Sequence, residues 1–183
     1  MINKTTNKKI LIIGGSGFIG SSLIEKLINL SYELTIFIRN KNSINIKNKK
    51  IKYIRGDLLS PNFWKRNINN KDFLINLISN ENKFGIKIDL LNNFEINVKV
   101  MLMALHSSYK FNRHIKIISF GTENQHGISK KLPINEKDQD SPVTLFGLNK
   151  QIIENYMKYF CENLNIKSVN LRLPNVYGPS TSK

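Results

Sequence analysis

Short runs dense in isoleucine, leucine and phenylalanine alternate along this chain with longer stretches whose apolar residues recur every three or four positions. Near-continuous apolar runs suit strands buried on both faces, whereas the second spacing lays a stripe along one side of a helix. "KKILIIGG" predicts a first strand at Ile10 to Ile13, and Ile19, Leu23, Ile24, Leu27 and Ile28 then predict an amphipathic helix. "ELTIFIRN" (33–40) and "IKYIRGD" (51–57) predict the second and third strands. Ser60 as a cap and Pro61 at the first helical position predict the next helix start, and "DFLINLIS" (72–79) a buried fourth strand. A long helix from about Leu90 to Tyr109, a fifth strand in "HIKIIS" (114–119), a helix from near Thr144 and a sixth strand in "KSVNLRLP" (167–174) complete the order. Strands and helices in alternation predict the α/β class: a doubly wound parallel sheet with helices on both faces. Between the fifth strand and the last helix, "FGTENQHGISKKLPINEKDQDSP" (120–142) is polar and rich in Gly and Pro. A loop of that length is either functional or disordered.

The turn after the first strand sharpens this picture. "GGSGFIG" sets Gly14, Gly17 and Gly20 in G-x-x-G-x-x-G spacing, with Gly15, Ser16, Phe18 and Ile19 between them. Glycine permits the tight bend, lets backbone approach a pyrophosphate, and allows the helix to pack on the strand, while unpaired N–H groups at the helix start face the anion. The motif is weak alone. Between a strand and a helix at the start of a chain it points to dinucleotide binding by a Rossmann-type domain. After the second strand, an acidic residue would hold the ribose hydroxyls of NAD, and a cation would accommodate a 2′-phosphate. This chain has Arg39 there, with Lys41 close by, so NADP is preferred; NAD is the alternative, because an arginine at that point also stacks on adenine or faces solvent. Asp57 either accepts a hydrogen bond from the adenine amino group or caps its own loop.

Composition narrows the partners. With 183 residues, 40% hydrophobic and 22% charged, the chain suits one globular domain. No apolar run approaches the roughly 18 residues that cross a bilayer, and Met1 to Lys9 is polar, so a cytoplasmic protein without membrane contact is expected. Cys161 is the single cysteine, and His106, His114 and His126 stand apart without paired ligand spacing, so neither a disulfide nor a metal site is expected. The net charge of +15 raises the question of nucleic acid. The lysines are scattered, however, and the densest run, Lys41 to Lys50, reads as a solvated loop. No nucleic-acid partner is expected; the excess favours anionic ligands in general.

"GGSGFIG", "RGDL" (55–58), "NV" at Asn97 and Val98, "PINEKD" (133–138), "FGLNK" (146–150) and "LRLPNVYGP" (171–179) occur in one order along the chain. That order resembles the NAD(P)-dependent epimerase/dehydratase family, the extended short-chain dehydrogenase/reductases, over nearly the whole sequence. The resemblance implies an NAD(P)-binding Rossmann domain over 1–183 that oxidises a hydroxyl of a nucleotide sugar and acts on the transient ketone. By position, Gly14, Gly15, Ser16, Gly17, Phe18, Ile19 and Gly20 resemble the pyrophosphate turn, and Asp57 with Leu58 the adenine pocket. Ser79 matches a strand tip beside the cofactor, and Asn97 a structural asparagine. Ser119 or Thr122 corresponds to the hydroxyl that holds the substrate oxygen, and Lys150 to the lysine on the nicotinamide ribose. Pro174 and Asn175 lie where such proteins contact the nicotinamide amide and the sugar nucleotide. The resemblance also implies pairing of two chains through their long helices.

Two departures stand out. The family expects tyrosine where this chain has Phe146. Residues at i and i+4 share one helix face, so the usual phenol lies beside the lysine, whose charge brings a group of ordinary pKa about 10 toward working pH. Phe146 fills the space but carries no proton, and losing a positioned acid or base typically lowers a rate by about 10² to 10⁴. Tyr156 and Tyr159 lie too far along the helix to substitute. The resemblance also implies a smaller domain past "YGP" that closes over the substrate, so for a chain ending at Lys183 the C-terminal half of the pocket is expected to be absent or truncated. Impaired hydride transfer is therefore expected; the alternative is a non-catalytic regulatory or scaffolding module that uses the nucleotide as a ligand.

Overall fold

The computed structural model describes residues 7–30, 32–40, 46, 48–80, 89–129, 132–135 and 137–179. Lys41 and part of the basic run after it lie outside the described residues. Six strands form one sheet: β1 (Lys8–Ile13), β2 (Tyr32–Phe37), β3 (Ile51–Ile54), β4 (Phe73–Asn76), β5 (Lys116–Thr122) and β6 (Ser168–Leu173). Their order is β3-β2-β1-β4-β5-β6, and every pairing is parallel. The chain leaves β1 toward β2 on one side and later returns to β4 on the other, which opens a crevice at the carboxyl ends of β1 and β4.

Both faces of the sheet are apolar, as the continuous runs require. Leu11, Ile13, Leu74 and Ile117 meet Phe63 and Trp64 of α2 (Pro61–Ile68), Met101 and Leu105 of α4 (Val100–Phe111), and Ile153 and Met157 of α5 (Leu145–Leu164). On the opposite face Ile10, Ile12, Leu34 and Ile36 pack with Ile24 of α1 (Phe18–Ile28). Trp64 is wholly buried, and its indole N–H donates to the Leu58 carbonyl at 2.7 Å, which fastens the loop after β3 to α2. Burying a large apolar side chain stabilises by about 1.5–3 kcal/mol, so this anchor is strong enough to fix the loop carrying Asp57 and Leu58. Pro61 stands at the first helical position as expected, whereas the Ser60 side chain makes no capping bond.

The long predicted helix is present with a break in its regularity. α3 (Leu90–Phe94) runs into a π-helical turn, Glu95–Lys99, and then into α4. Such turns insert an extra residue and are frequent at functional sites. The long polar loop is partly ordered: β5 runs on to Thr122, and a 3₁₀ turn, Glu123–Gln125, follows. Among the described residues no helix is long and apolar enough to cross a membrane.

Candidate functional site

The glycine turn closes β1 and opens α1. Gly14 has φ +79°, and a Cβ there would lie 2.5 Å from the Leu77 carbonyl carbon on the neighbouring strand's extension. A Cβ on Gly20 would come within 2.6–2.7 Å of backbone atoms of Gly14 and Gly15. Packing within the protein therefore accounts for both. Gly17 differs: its Cβ would meet only the Gly14 carbonyl oxygen, at an ordinary 3.5 Å. Its bare edge faces open space. α1 has no side-chain cap at Gly17 and no acidic residue in its first turn, so the amide groups at its start keep their partial positive charge for an anion.

Two lobes of one groove meet at Gly14, Gly17, Leu77 and Ser79. The larger, about 650 Å³, also takes in Ser16, Arg39, Asp57 and Leu58. Asp57 commits one carboxylate oxygen to its own loop, accepting from the Leu59 N–H at 2.8 Å, while Arg39 is exposed at the rim. The smaller lobe, about 410 Å³, is bounded by Phe18, Ile19, Gly20, Thr122, Asn124, Phe146, Lys150, Pro174 and Asn175. Gly15 lines neither lobe; it is buried with Ile24 and Ile36 against its α-carbon. Tyr156 and Tyr159 are solvent-exposed and line neither lobe.

The two hydroxyls left open by the sequence separate clearly. Ser119 is wholly buried, lines neither lobe, and its Oγ has no hydrogen-bond partner among the described residues. Thr122, three residues on and so facing the other side of the sheet, borders the smaller lobe. Its Oγ1 accepts from the Asn124 backbone N–H at 3.3 Å and from Asn124 Nδ2 at 3.2 Å, which leaves the hydroxyl proton to be donated. The Gln125 side chain returns to the Thr122 N–H at 3.0 Å, completing a capping box. "TENQ" carries that S/T-x-x-E/Q signature in sequence, and it is the signal that would have placed Asn124 at the groove.

Lys150 lies in the second turn of α5, whose start is capped by Thr144 accepting from the Gly147 N–H at 3.0 Å. Gly147 is needed for close approach, since a Cβ would lie 2.4 Å from the Asn124 carbonyl oxygen. The lysine is 4% exposed, and burial pushes its amine down to about 8. Nζ donates to the Ile78 carbonyl at 3.5 Å and lies 5.6 Å from the centre of the Phe146 ring.

Polar networks fix α5 on both sides of this amine. On one side, Asn149 donates to Asn93 at 2.7 Å; Asn97 donates to Asn93 Oδ1 at 2.9 Å and to the Asn80 carbonyl at 3.0 Å, and accepts from the Asn80 N–H at 2.9 Å. The segment that follows β4 is thereby tied to the π turn. On the other side, Arg172 of β6 contacts Asp140 at 2.6 and 2.8 Å and Glu154 of α5 at 2.7 and 3.1 Å. Those bonds, with Gln125 donating to Glu154 at 3.0 Å, clamp the long loop onto α5 and β6.

The arrangement suits an elongated ligand with a central diphosphate: a Cβ-free edge and helix amides in the middle, a guanidinium at one end, an amine at the other. A family model described as "Epimerase: NAD dependent epimerase/dehydratase family" matches residues 10–183. The UDP-glucose 4-epimerase of Streptococcus mutans is 27% identical over 175 residues, covering 92% of this chain and 52% of that protein. Among solved structures, the UDP-N-acetylglucosamine 4-epimerase from Methanobrevibacter ruminantium, in complex with UDP-N-acetylmuramic acid, superposes with a TM-score of 0.85 at 24% identity, over 96% of this chain and 57% of that one. The UDP-glucose 4-epimerase from Brucella ovis, in complex with NAD, gives 0.81 at 20% identity, over 92% and 52%. The chain spans about half the length of the curated relatives it matches. At these identities the two solved structures speak for the fold.

Proposed function

This chain belongs to the NAD dependent epimerase/dehydratase family, and from that premise we propose that its groove binds a nicotinamide dinucleotide and serves the remodelling of a nucleotide sugar. The observation that carries the reading is Gly17, whose bare edge lies where the two lobes join and has no packing reason to lack a side chain. In this reading the diphosphate rests on Gly17 and the first amides of α1, and Leu58 and Asp57 border the adenine. Arg39 meets the adenosine ribose and favours NADP over NAD. Lys150 donates to the nicotinamide ribose, Pro174 borders the nicotinamide amide, and Asn175 faces the sugar nucleotide. Thr122, rather than the buried Ser119, holds the reacting oxygen of the substrate. A bound nicotinamide supplies hydride acceptance and return; the chain's own residues orient the two partners and handle the proton. Two chains pair through the exposed apolar residues of the long helices.

Hydride transfer is slowed by Phe146, which occupies the ring position on the groove wall without an ionisable oxygen. The same residue favours a second reading, a non-catalytic module that uses the nucleotide as a sensing or structural ligand. Fluorescence titration with NADPH and NADH in parallel tests the first reading: saturable binding is expected, tighter for NADPH, and Arg39→Ala is expected to remove the preference. No saturable binding of either at millimolar concentration refutes it. Consumption of a sugar nucleotide in the presence of cofactor refutes the second.

A further inference from the structure

The proton has to go somewhere, and the walls of the smaller lobe offer few places. Its side chains are apolar, amide, hydroxyl or proline, with a single exception, the amine of Lys150. Phe146 contributes only a ring face. A hydroxyl of ordinary acidity gives up no proton near neutral pH, and a carboxamide gives up none at all. Among the described residues bordering this lobe, Nζ is thus the one atom able both to take a proton and to return it.

Among the described residues, nothing around Nζ holds it permanently charged. Its one side-chain hydrogen bond among them, to the Ile78 carbonyl, is long at 3.5 Å, and it forms no ion pair with any of them. Glu154, one turn further along α5, is saturated by Arg172, Gln125 and Asn170. Glu95 on the π turn is taken by Lys99 at 2.8 Å. Among the described residues, Glu123 on the 3₁₀ turn, His106, Tyr109 and Lys110 on α4, Lys116 on β5 and Arg172 on β6 are the further titratable groups on the elements packed against the helix, with His126 and Asp140 in the long loop, and none makes a salt bridge with Nζ. The Phe146 ring offers only a weak cation–π contact at 5.6 Å. Desolvation is the sole cause acting on the amine, and it favours the neutral form.

We propose that Lys150 is itself the proton acceptor and donor of this site, taking the proton of a substrate alcohol at Nζ and handing it back, in a groove where residue 146 has no phenol. The inference rests on the dinucleotide reading, because the alcohol carbon must lose hydride to an oxidant of the nicotinamide class. In the proton step the O–H bond breaks with its electron pair left on oxygen, and the Nζ lone pair forms the new N–H bond. The amine becomes an ammonium, and reduction of the ketone reverses both changes. A lysine that served only to hold the ribose would work best permanently protonated; one that moves protons works best with its pKa near the operating pH.

The test is competitive trace acetylation of the intact, cofactor-free chain with acetic anhydride from pH 6 to 11, read by peptide mass spectrometry. A lysine-containing reference peptide is present in the same tube. Burial slows the reaction but leaves its midpoint to the amine's own protonation. Lys150 is expected to reach half-maximal reactivity near pH 8, about two pH units below the reference. A midpoint within half a unit of the reference overturns the proposal. NADPH titration of the same sample separates the two ideas: saturable binding with an ordinary midpoint leaves the cofactor reading standing and removes the proton role. Absence of binding removes both.

Discussion

Gly17→Ala separates a turn that merely folds from one that grips a ligand. The backbone at Gly17, φ −79° and ψ 177°, is open to any residue, and the added methyl meets only the Gly14 carbonyl oxygen at 3.5 Å. Reduced freedom of the unfolded chain stabilises by about 0.4–1 kcal/mol, and alanine is a poorer helix N-cap than glycine by a similar amount. The two nearly cancel. Gly14→Ala is different, because φ +79° adds roughly 1–2 kcal/mol of backbone strain, and a methyl 2.5 Å from the Leu77 carbonyl carbon forces a shift costing about 1–3 more. At 2–4 °C per kcal/mol for a chain of this size, Gly14→Ala is expected to melt about 4–20 °C lower and Gly17→Ala within about 3 °C of the parent. For the ligand the order reverses in importance. A methyl on Gly17 pushes the diphosphate off the amides; losing one charge-assisted hydrogen bond, about 1.5–3 kcal/mol, weakens NADPH roughly 10- to 150-fold. Thermal unfolding by circular dichroism and fluorescence titration with NADPH read both quantities. If Gly17→Ala folds normally and binds NADPH within threefold of the parent, the cradle argument is wrong.

Phe146→Tyr places a phenol one turn before Lys150 and is expected to raise sugar-nucleotide turnover by about 10² to 10⁴, measured by product chromatography; unchanged turnover with intact cofactor binding counts against the assigned pocket. Glu154 carries the opposing effects of burial, which raises its pKa, and of hydrogen bonds from Arg172, Gln125 and Asn170, which outweigh burial and leave it below the ordinary 4.5. A depressed carboxylate contributes stability that is full above its unfolded pKa and is lost as pH falls through the lower folded value. Glu154→Gln is therefore expected to lose about 1–3 kcal/mol at pH 7 and to show a flatter fall in stability below pH 4.5, measured by urea unfolding across pH. Ser119→Ala removes a buried hydroxyl with no partner and is expected to leave stability unchanged or raise it by up to about 1 kcal/mol, whereas Thr122→Val, which strips a cap from Asn124, is expected to lower it by about 0.5–2 kcal/mol in the same assay.

What was legible in the sequence was local. Strand runs such as "KKILIIGG" and the helical stripe after it are set by nearest neighbours in the chain, and the glycine spacing of the turn between them is visible within seven residues. The doubly wound parallel class followed because strands joined by helices have few ways to pack, whereas the strand order came from the structure. Ser119 and Thr122 stayed unresolved because the choice depends on which face each presents, and that is fixed by register against β4 and β6, far along the chain. Gly15 looked like part of the ligand turn, yet its surroundings, Ile24 and Ile36, come from α1 and β2. The clamp of Arg172 on Asp140 joins residues 32 apart, and the bond between Asn149 and Asn93 joins residues 56 apart. No window of sequence contains either pair.

Those two networks explain how an amine can be kept in place without the phenol that resemblance leads one to expect beside it. Asn149, immediately before Lys150, is held through Asn93 and Asn97 to the end of β4, and Glu154, one turn after it, is held through Arg172 to β6 and the long loop. Neither network uses residue 146. The backbone of α5 is thus fixed on both sides of the lysine by bonds that are indifferent to whether a hydroxyl stands on the neighbouring ring. Exchange between tyrosine and phenylalanine at that position is expected to alter which atom carries the proton while leaving the backbone of α5 where it is. Proton transfer at this site is therefore separable from architecture, because the bonds that position α5 and its lysine do not depend on a phenol at position 146.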